Sequence, residues 1–133
     1  APIDVYNHGK MKRDFTYVDD IVEAISRLIP KIPAPNLQWS GFNPDPATSF
    51  APYRIFNIGN NKPVELLRFI EAVEEKLGKK AIRNYLPLQE GDVPETYADV
   101  DDLMKEVDFK PSTTIEFGVG KFIDWYKEYY KLN

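Results

Sequence analysis

Apolar residues recur at three- and four-residue steps in three stretches: Ile21, Val22, Ile25, Leu28 and Ile29; Leu66, Ile70, Val73 and Leu77; and Ile115, Val119, Phe122, Tyr126 and Tyr129. That period places each set along one face of a helix. The first helix is expected to open at Thr16, with Asp19 as a capping-box-like partner, and to stop at Pro30. Asp19 and Asp20 then sit in its first turn, where carboxylates favour the positive end of the helix dipole. The second helix runs from about Pro63 to Leu77, with proline in its first turn and Gly78 just past its end. The last opens on a second capping-box pair, Thr113 and Glu116, and reaches about Tyr130. Gly118 and Gly120 fall inside it, each at a cost of roughly 1 kcal/mol against alanine, which points to close backbone packing there. Asp99 is expected to cap a shorter helix through Val107, with Val100, Leu103, Met104 and Val107 inward.

Between the helices lie β-branched and aromatic runs that read as strands: Pro2–Asn7, Tyr53–Gly59 and Ala81–Leu88. Ile55, Phe56 and Ile58 are nearly continuous, as in a strand covered on both faces. The order is β-α-loop-β-α-β-α-α, and such alternation predicts an α/β fold with a partly parallel sheet. Three strands make a thin sheet, and Tyr53–Gly59 asks for neighbours. The expectation is therefore a piece of a longer protein, with which Ala1 in place of an initiator methionine agrees. The open edge of that run, guarded only by Arg54 and Pro52, predicts self-association into a homodimer. Residues 31–52 hold Pro33, Pro35, Pro44, Pro46 and Pro52, which exclude a regular helix or central strand. Ile32, Leu37, Trp39, Phe42 and Phe50 are too apolar for a free linker, so this is read as a long loop pinned by its aromatics.

Composition narrows the classes of function. A chain of 133 residues with 43% hydrophobic residues suffices for one domain with a core. A net charge of −4 argues against a nucleic-acid partner, which usually needs a basic surface. There is no cysteine, so no disulfide frame and no thiolate metal site; a reducing, cytoplasmic setting is expected. No apolar run approaches the roughly 18 residues of a membrane helix.

Several apparent motifs carry little chemistry. Tyr6 and Lys10 have Y-x-x-x-K spacing, but Gly9 and a strand end intervene, so the two do not share a helical turn. Gly118-Val119-Gly120 lacks both a third glycine and a preceding strand. His8, the one histidine, lies in a polar turn without carboxylate company. The aspartates around Asp99 are a solvated helix start. Arg13 differs. It precedes a helix N-terminus, where backbone N–H groups favour anions, and its planar fork suits phosphate. Phe15 and Tyr17 could flank a base or sugar, and Arg13 could equally pair with Asp14 or Asp19 at the surface. Gln89-Glu90-Gly91-Asp92 could hold a ribose hydroxyl or be a simple turn.

Four stretches in order, "RDFTYVDD", "YRIFNIGNNKPVELLRFIEAVEEKLGKKA", "LPLQEGDVPETYADVDDL" and "FKPSTTIEFGVGKFIDWYKEYY", resemble the C-terminal part of nucleotide-sugar epimerases. These belong to the NAD-dependent epimerase/dehydratase family of extended short-chain dehydrogenases, with the UDP-glucuronate 4-epimerases nearest. The resemblance covers essentially the whole chain, the Pro- and aromatic-rich loop included. It implies a Rossmann-type enzyme with few short strands and about four helices in this part. An N-terminal half, absent here, would hold NAD and the catalytic tyrosine–lysine pair, and this chain would hold the nucleotide of a UDP-sugar. Hydride would pass from the sugar C4 to NAD⁺, and the 4-keto intermediate would turn and take it back on the other face. By the same resemblance Arg13 contacts the diphosphate, Phe15 is the neighbouring aromatic and Asp92 reaches the ribose. Gln89 stands where some relatives carry a phosphate-binding arginine. No catalytic, cofactor-binding or metal-binding residue is expected in the chain itself. The alternatives are a related nucleotide-sugar dehydratase and a non-catalytic nucleotide- or protein-binding module.

Overall fold

The computed structural model describes residues 1–132. Its elements are β1 (Ile3–Val5), a tight turn (Tyr6–Gly9), β2 (Lys12–Arg13), α1 (Val18–Leu28), β3 (Val64–Glu65), α2 (Leu66–Leu77), β4 (Arg83–Tyr85), α3 (Asp101–Val107) and α4 (Ile115–Tyr130). β1 and β4 pair in parallel, Ile3 opposite Arg83 and Val5 opposite Tyr85. β2 and β3 pair antiparallel, Lys12 opposite Glu65. The α/β class with four helices and few short strands holds, but the sheet is two separate pairs.

The core has two centres. Ala24, Leu103 and Val107 join α1 to α3, with Phe56, Ile58 and Phe109 against them. Ala72, Val119 and Ile123 join α2 to α4, with Phe69, Val73 and Ile115 at their margin. α1 turns Ala24 fully inward, while Val22, Ile25 and Ile29 of the expected apolar face stay exposed. On α4 the inward residues are Val119 and Ile123, and Phe122, Tyr126 and Tyr129 face out.

The expected helix ends move for local reasons. The N-cap of α1 is Tyr17, without a side-chain bond. Asp20 in its first turn accepts instead from Ser112 N (3.1 Å) and Thr113 N (3.0 Å), which fastens α1 to the approach of α4. α2 starts at Leu66 because Val64 and Glu65 are drawn into the ladder with β2, and Leu66 N donates to Met11 O at 2.8 Å. At α4 it is Thr114 that caps, its hydroxyl accepting from Phe117 N. The Glu116 carboxylate is engaged by Arg68 across the α2–α4 contact at 2.9 Å, so no capping box forms. Gly78 ends α2 in the left-handed region at φ +65, as the sequence predicts.

The run Tyr53–Gly59 forms no ladder. Its one bridge joins Arg54 to Thr48 of the preceding loop. Phe56 and Ile58 turn onto the α1–α3 centre, while Tyr53 and Ile55 remain exposed. Among the described residues no strand lies alongside it; beyond that bridge, Ile55 N donates to Ala47 O at 3.0 Å. The 31–52 loop folds onto itself. Trp39 packs on Phe50 at 5.9 Å and donates to Asp45 O at 3.1 Å, and Asn36 N reaches Ser49 O at 2.8 Å. Leu37 and Phe42 are not pinned and lie fully in solvent.

Candidate functional site

β2 is short, but it is bonded on both sides. On one it pairs with β3. On the other, Lys12 N donates to Pro94 O (2.8 Å), Thr96 N donates to Lys12 O (3.2 Å), and Lys12 bridges Glu95 in parallel. The segment after β4 is thereby held beside β2, and it carries Asp92 to Arg13. Arg13 Nη2 donates to Asp92 Oδ1 at 2.8 Å, and the two side chains are 25% and 34% exposed. A charge-assisted bond this open to solvent can exchange for ligand contacts at small cost. Arg13 Nη1 also donates to Lys12 O at 2.9 Å, which fixes the guanidinium plane. Val93 N donates to the same Asp92 oxygen at 2.8 Å.

The Gln89–Asp92 segment is a turn closed by Asp92 N to Gln89 O at 3.2 Å, with Gly91 at φ +81 in its third position, the geometry a type II turn demands. Gln89 stands exposed at its start. So Arg13 and Asp92 are brought together and Gln89 borders them. Phe15 lies apart: its ring stacks face to face on Phe69, centroids 4.7 Å apart. With Tyr17, Val73, Gly118 and Phe122 it lines an apolar cleft of about 340 Å³ between α2 and α4. Tyr17 meets Phe117 edge-on at 6.0 Å, and burial followed by the Asp19 charge raises its hydroxyl pKa above the ordinary value.

Tyr6 and Lys10 do not share a helical turn, since Asn7, His8 and Gly9 all take positive φ. His8 N donates to Leu86 O at 2.9 Å, part of the seam between the turn and the end of β4. Gly118 and Gly120 lie inside α4, and Tyr17 occupies the space above Gly118. No glycine-rich turn leads from a parallel strand into a helix among the described residues, so they do not fit a dinucleotide pyrophosphate.

Two carboxylates organise the neighbourhood: Asp14, which the sequence offered only as a surface partner for Arg13, and Glu74, which sequence reasoning passed over. Asp14 accepts from Asn61 N and Ala98 N, and Glu74 from Lys80 Nζ (2.8 Å), Ala81 N (3.0 Å) and Arg83 Nη2 (3.0 Å). Glu74 is 3% exposed, and its partners, Lys80 foremost, hold its pKa down at about 2. Its position four residues after Ile70 on the buried stripe of α2 was a readable sign. Asp14 had none, because its partners come from distant loops.

Over residues 1–59 the chain matches the NAD dependent epimerase/dehydratase family. It is 68% identical over 129 residues to Protein CapI of Staphylococcus aureus, covering 97% of this chain and 39% of that protein. It is 46% identical over 134 residues to a probable UDP-glucuronate 4-epimerase of Rhizobium meliloti (strain 1021), covering 98% of this chain and 38% of the relative. In fold it matches the UDP-glucuronic acid 4-epimerase from Bacillus cereus, solved in complex with UDP-glucuronic acid and NAD. The TM-score is 0.73 at 22% identity, over 97% of this chain and 36% of that one. The chain is thus similar to part of the NAD-dependent nucleotide-sugar epimerases and dehydratases, by the family match over residues 1–59 and by relatives along nearly its whole length. It spans about two fifths of the length of the curated relatives it matches.

Proposed function

We propose that this chain is the nucleotide-gripping part of an NAD-dependent UDP-sugar 4-epimerase that interconverts UDP-glucuronate and UDP-galacturonate through a transient 4-keto sugar. The observation that carries the reading is the Arg13–Asp92 pair, 79 residues apart in sequence and 2.8 Å apart in space. A diphosphate entering beside Arg13 takes over the guanidinium fork. Asp92, released, accepts from a ribose hydroxyl. Gln89 borders the same edge as a neutral hydrogen-bonding group, and Phe15 anchors the strand end two residues beyond Arg13 through its stack on Phe69. NAD and the proton-transferring pair belong, in this reading, to sequence outside the chain. The name of the Rhizobium relative supports the choice of UDP-glucuronate. No helix of the described residues is long and apolar enough to cross a membrane, and the reading is of a cytoplasmic enzyme that works as a homodimer.

Calorimetric titration of the chain with UDP tests the proposal. Saturable uptake of UDP, lost with Arg13→Ala and not reproduced by uridine alone, is the expected result. Absence of UDP uptake, or uptake indifferent to Arg13, overturns it.

A further inference from the structure

Arg13 and Asp14 point to opposite jobs. Where Arg13 reaches Asp92, the Asp14 carboxylate gathers three backbone N–H groups from two loops. Oδ2 accepts from Asn61 N at 3.0 Å and Ala98 N at 3.2 Å, and Oδ1 from Lys62 N at 3.4 Å. Its own N–H donates to Thr96 Oγ1 at 3.2 Å. These bonds continue the ladder that Lys12 begins with Pro94 and Thr96, so Asp14 closes the far end of the segment whose near end bears Asp92. Gly59 marks how tightly the joint is drawn. A Cβ on it would lie 2.5 Å from Ala98 Cβ and 3.1 Å from Asp14 Oδ2. Only glycine lets the Asn61 turn and Ala98 converge on one carboxylate.

We infer that Asp14 is a positioning residue, which holds the 92–98 segment against β2 and so presents the Asp92 carboxylate to Arg13 and to an incoming nucleotide. This rests on the reading of Arg13 and Asp92 as nucleotide-binding groups. A carboxylate with three N–H donors is well satisfied, and its amide replacement leaves at least one donor facing an NH₂ group. Asp14→Asn therefore loosens both loops without removing any group that would touch ligand. Gly59→Ala loosens the same joint by a steric wedge and leaves the charge in place. Asp20 is the matched control. It too accepts from two backbone N–H groups, Ser112 and Thr113, but at the α1–α4 contact rather than on the Asp92 segment.

The test has two arms on the 133-residue chain. In the first, without ligand, amide hydrogen exchange is followed by NMR. Asp14→Asn and Gly59→Ala are expected to speed exchange at Val93, whose N–H reports the Asp92 carboxylate, and Asp20→Asn is expected not to. Val93 exchange unchanged in both joint variants, or changed equally in Asp20→Asn, overturns the inference. In the second, UDP affinity is measured. Both joint variants should lose roughly tenfold, within the range for residues sharing one hydrogen-bond network, and should lose nothing further in an Asp92→Ala background. A loss that persists undiminished in that background means Asp14 does not act through Asp92 and overturns the inference. If the unsubstituted chain takes up no UDP, the nucleotide reading falls by itself, and the exchange arm alone decides the role of Asp14.

Discussion

Tyr17 lies over Gly118. A Cβ on that glycine would come 3.2 Å from Tyr17 Cδ2, whereas one on Gly120 would meet nothing within 4 Å. One glycine of α4 is thus a seat for the aromatic N-cap of α1, and the other is an ordinary weak spot in a helix.

The two should respond differently to alanine. Gly120→Ala is expected to stabilise the chain by up to about 1 kcal/mol, the helix-propensity difference. Gly118→Ala gains the same propensity but must shift the Tyr17 ring by a few tenths of an ångström, so its gain is smaller or absent. Thermal unfolding of the pair checks the order; equal stabilisation would mean Tyr17 yields freely.

Glu74 makes stability depend on acid. Its folded pKa, about 2, lies below the ordinary 4.5, so the unfolded chain binds its proton first as pH falls. The contribution is present in full above about pH 4.5 and is lost as pH drops toward 2. Glu74→Gln should flatten the acid limb of the Tm–pH curve in that window and lower Tm at neutral pH, because Lys80 and Arg83 lose their counter-charge. An acid limb identical to the unsubstituted chain's refutes the assignment.

Arg13 should behave as a fork rather than a charge. Arg13→Ala is expected to weaken UDP binding by roughly 1.5–3 kcal/mol, the range for bonds to charged groups. Arg13→Lys should restore only part, since lysine offers a point charge in place of two parallel donors. Full rescue by lysine, seen by calorimetry, would reduce the site to simple electrostatics.

Turnover of UDP-glucuronate by this chain alone is expected to be absent even with NAD added, because Gly118 and Gly120 lie within a helix and Tyr6 and Lys10 straddle a left-handed turn. Formation of UDP-galacturonate above the buffer background, followed by chromatography, is the contrary result.

The exposed run at Tyr53 and Ile55, with Val22, Ile25 and Ile29 on α1, should drive self-association. Light scattering is expected to show mass rising with concentration, and Ile55→Lys to suppress the rise. A monomer at all concentrations would mean these surfaces are tolerated in water.

Periodicity located three of the helices because their apolar faces are local and repeat at close to 3.6 residues, and the Asp99 start marked the fourth. It misjudged the faces of α1 and α4, since a stripe says that a face is apolar and not which part of it is covered. Val22 and Ile25 fit the period as well as Ala24 does. β2 and β3 escaped notice because two residues cannot show alternation, and their pairing is decided by the 94–96 segment far down the chain. The motifs singled out Arg13, Gln89 and Asp92, and of these Arg13 and Asp92 meet in space. The tethering by Asp14 was not, because a carboxylate's backbone partners leave no mark in side-chain pattern.

The separation of Arg13 from Asp92 also sets a clock. The strand that holds Ile3 waits for Arg83, and Arg13 waits 79 residues for its acid. At the usual pace of synthesis, about 5–20 residues per second, the basic half of the grip emerges roughly 4–16 s before its counterpart exists. For that interval Arg13 is present in the nascent chain without the acid it will pair with. Their pairing therefore waits until α1 and α2 have been made, while α3 and α4 are still to come.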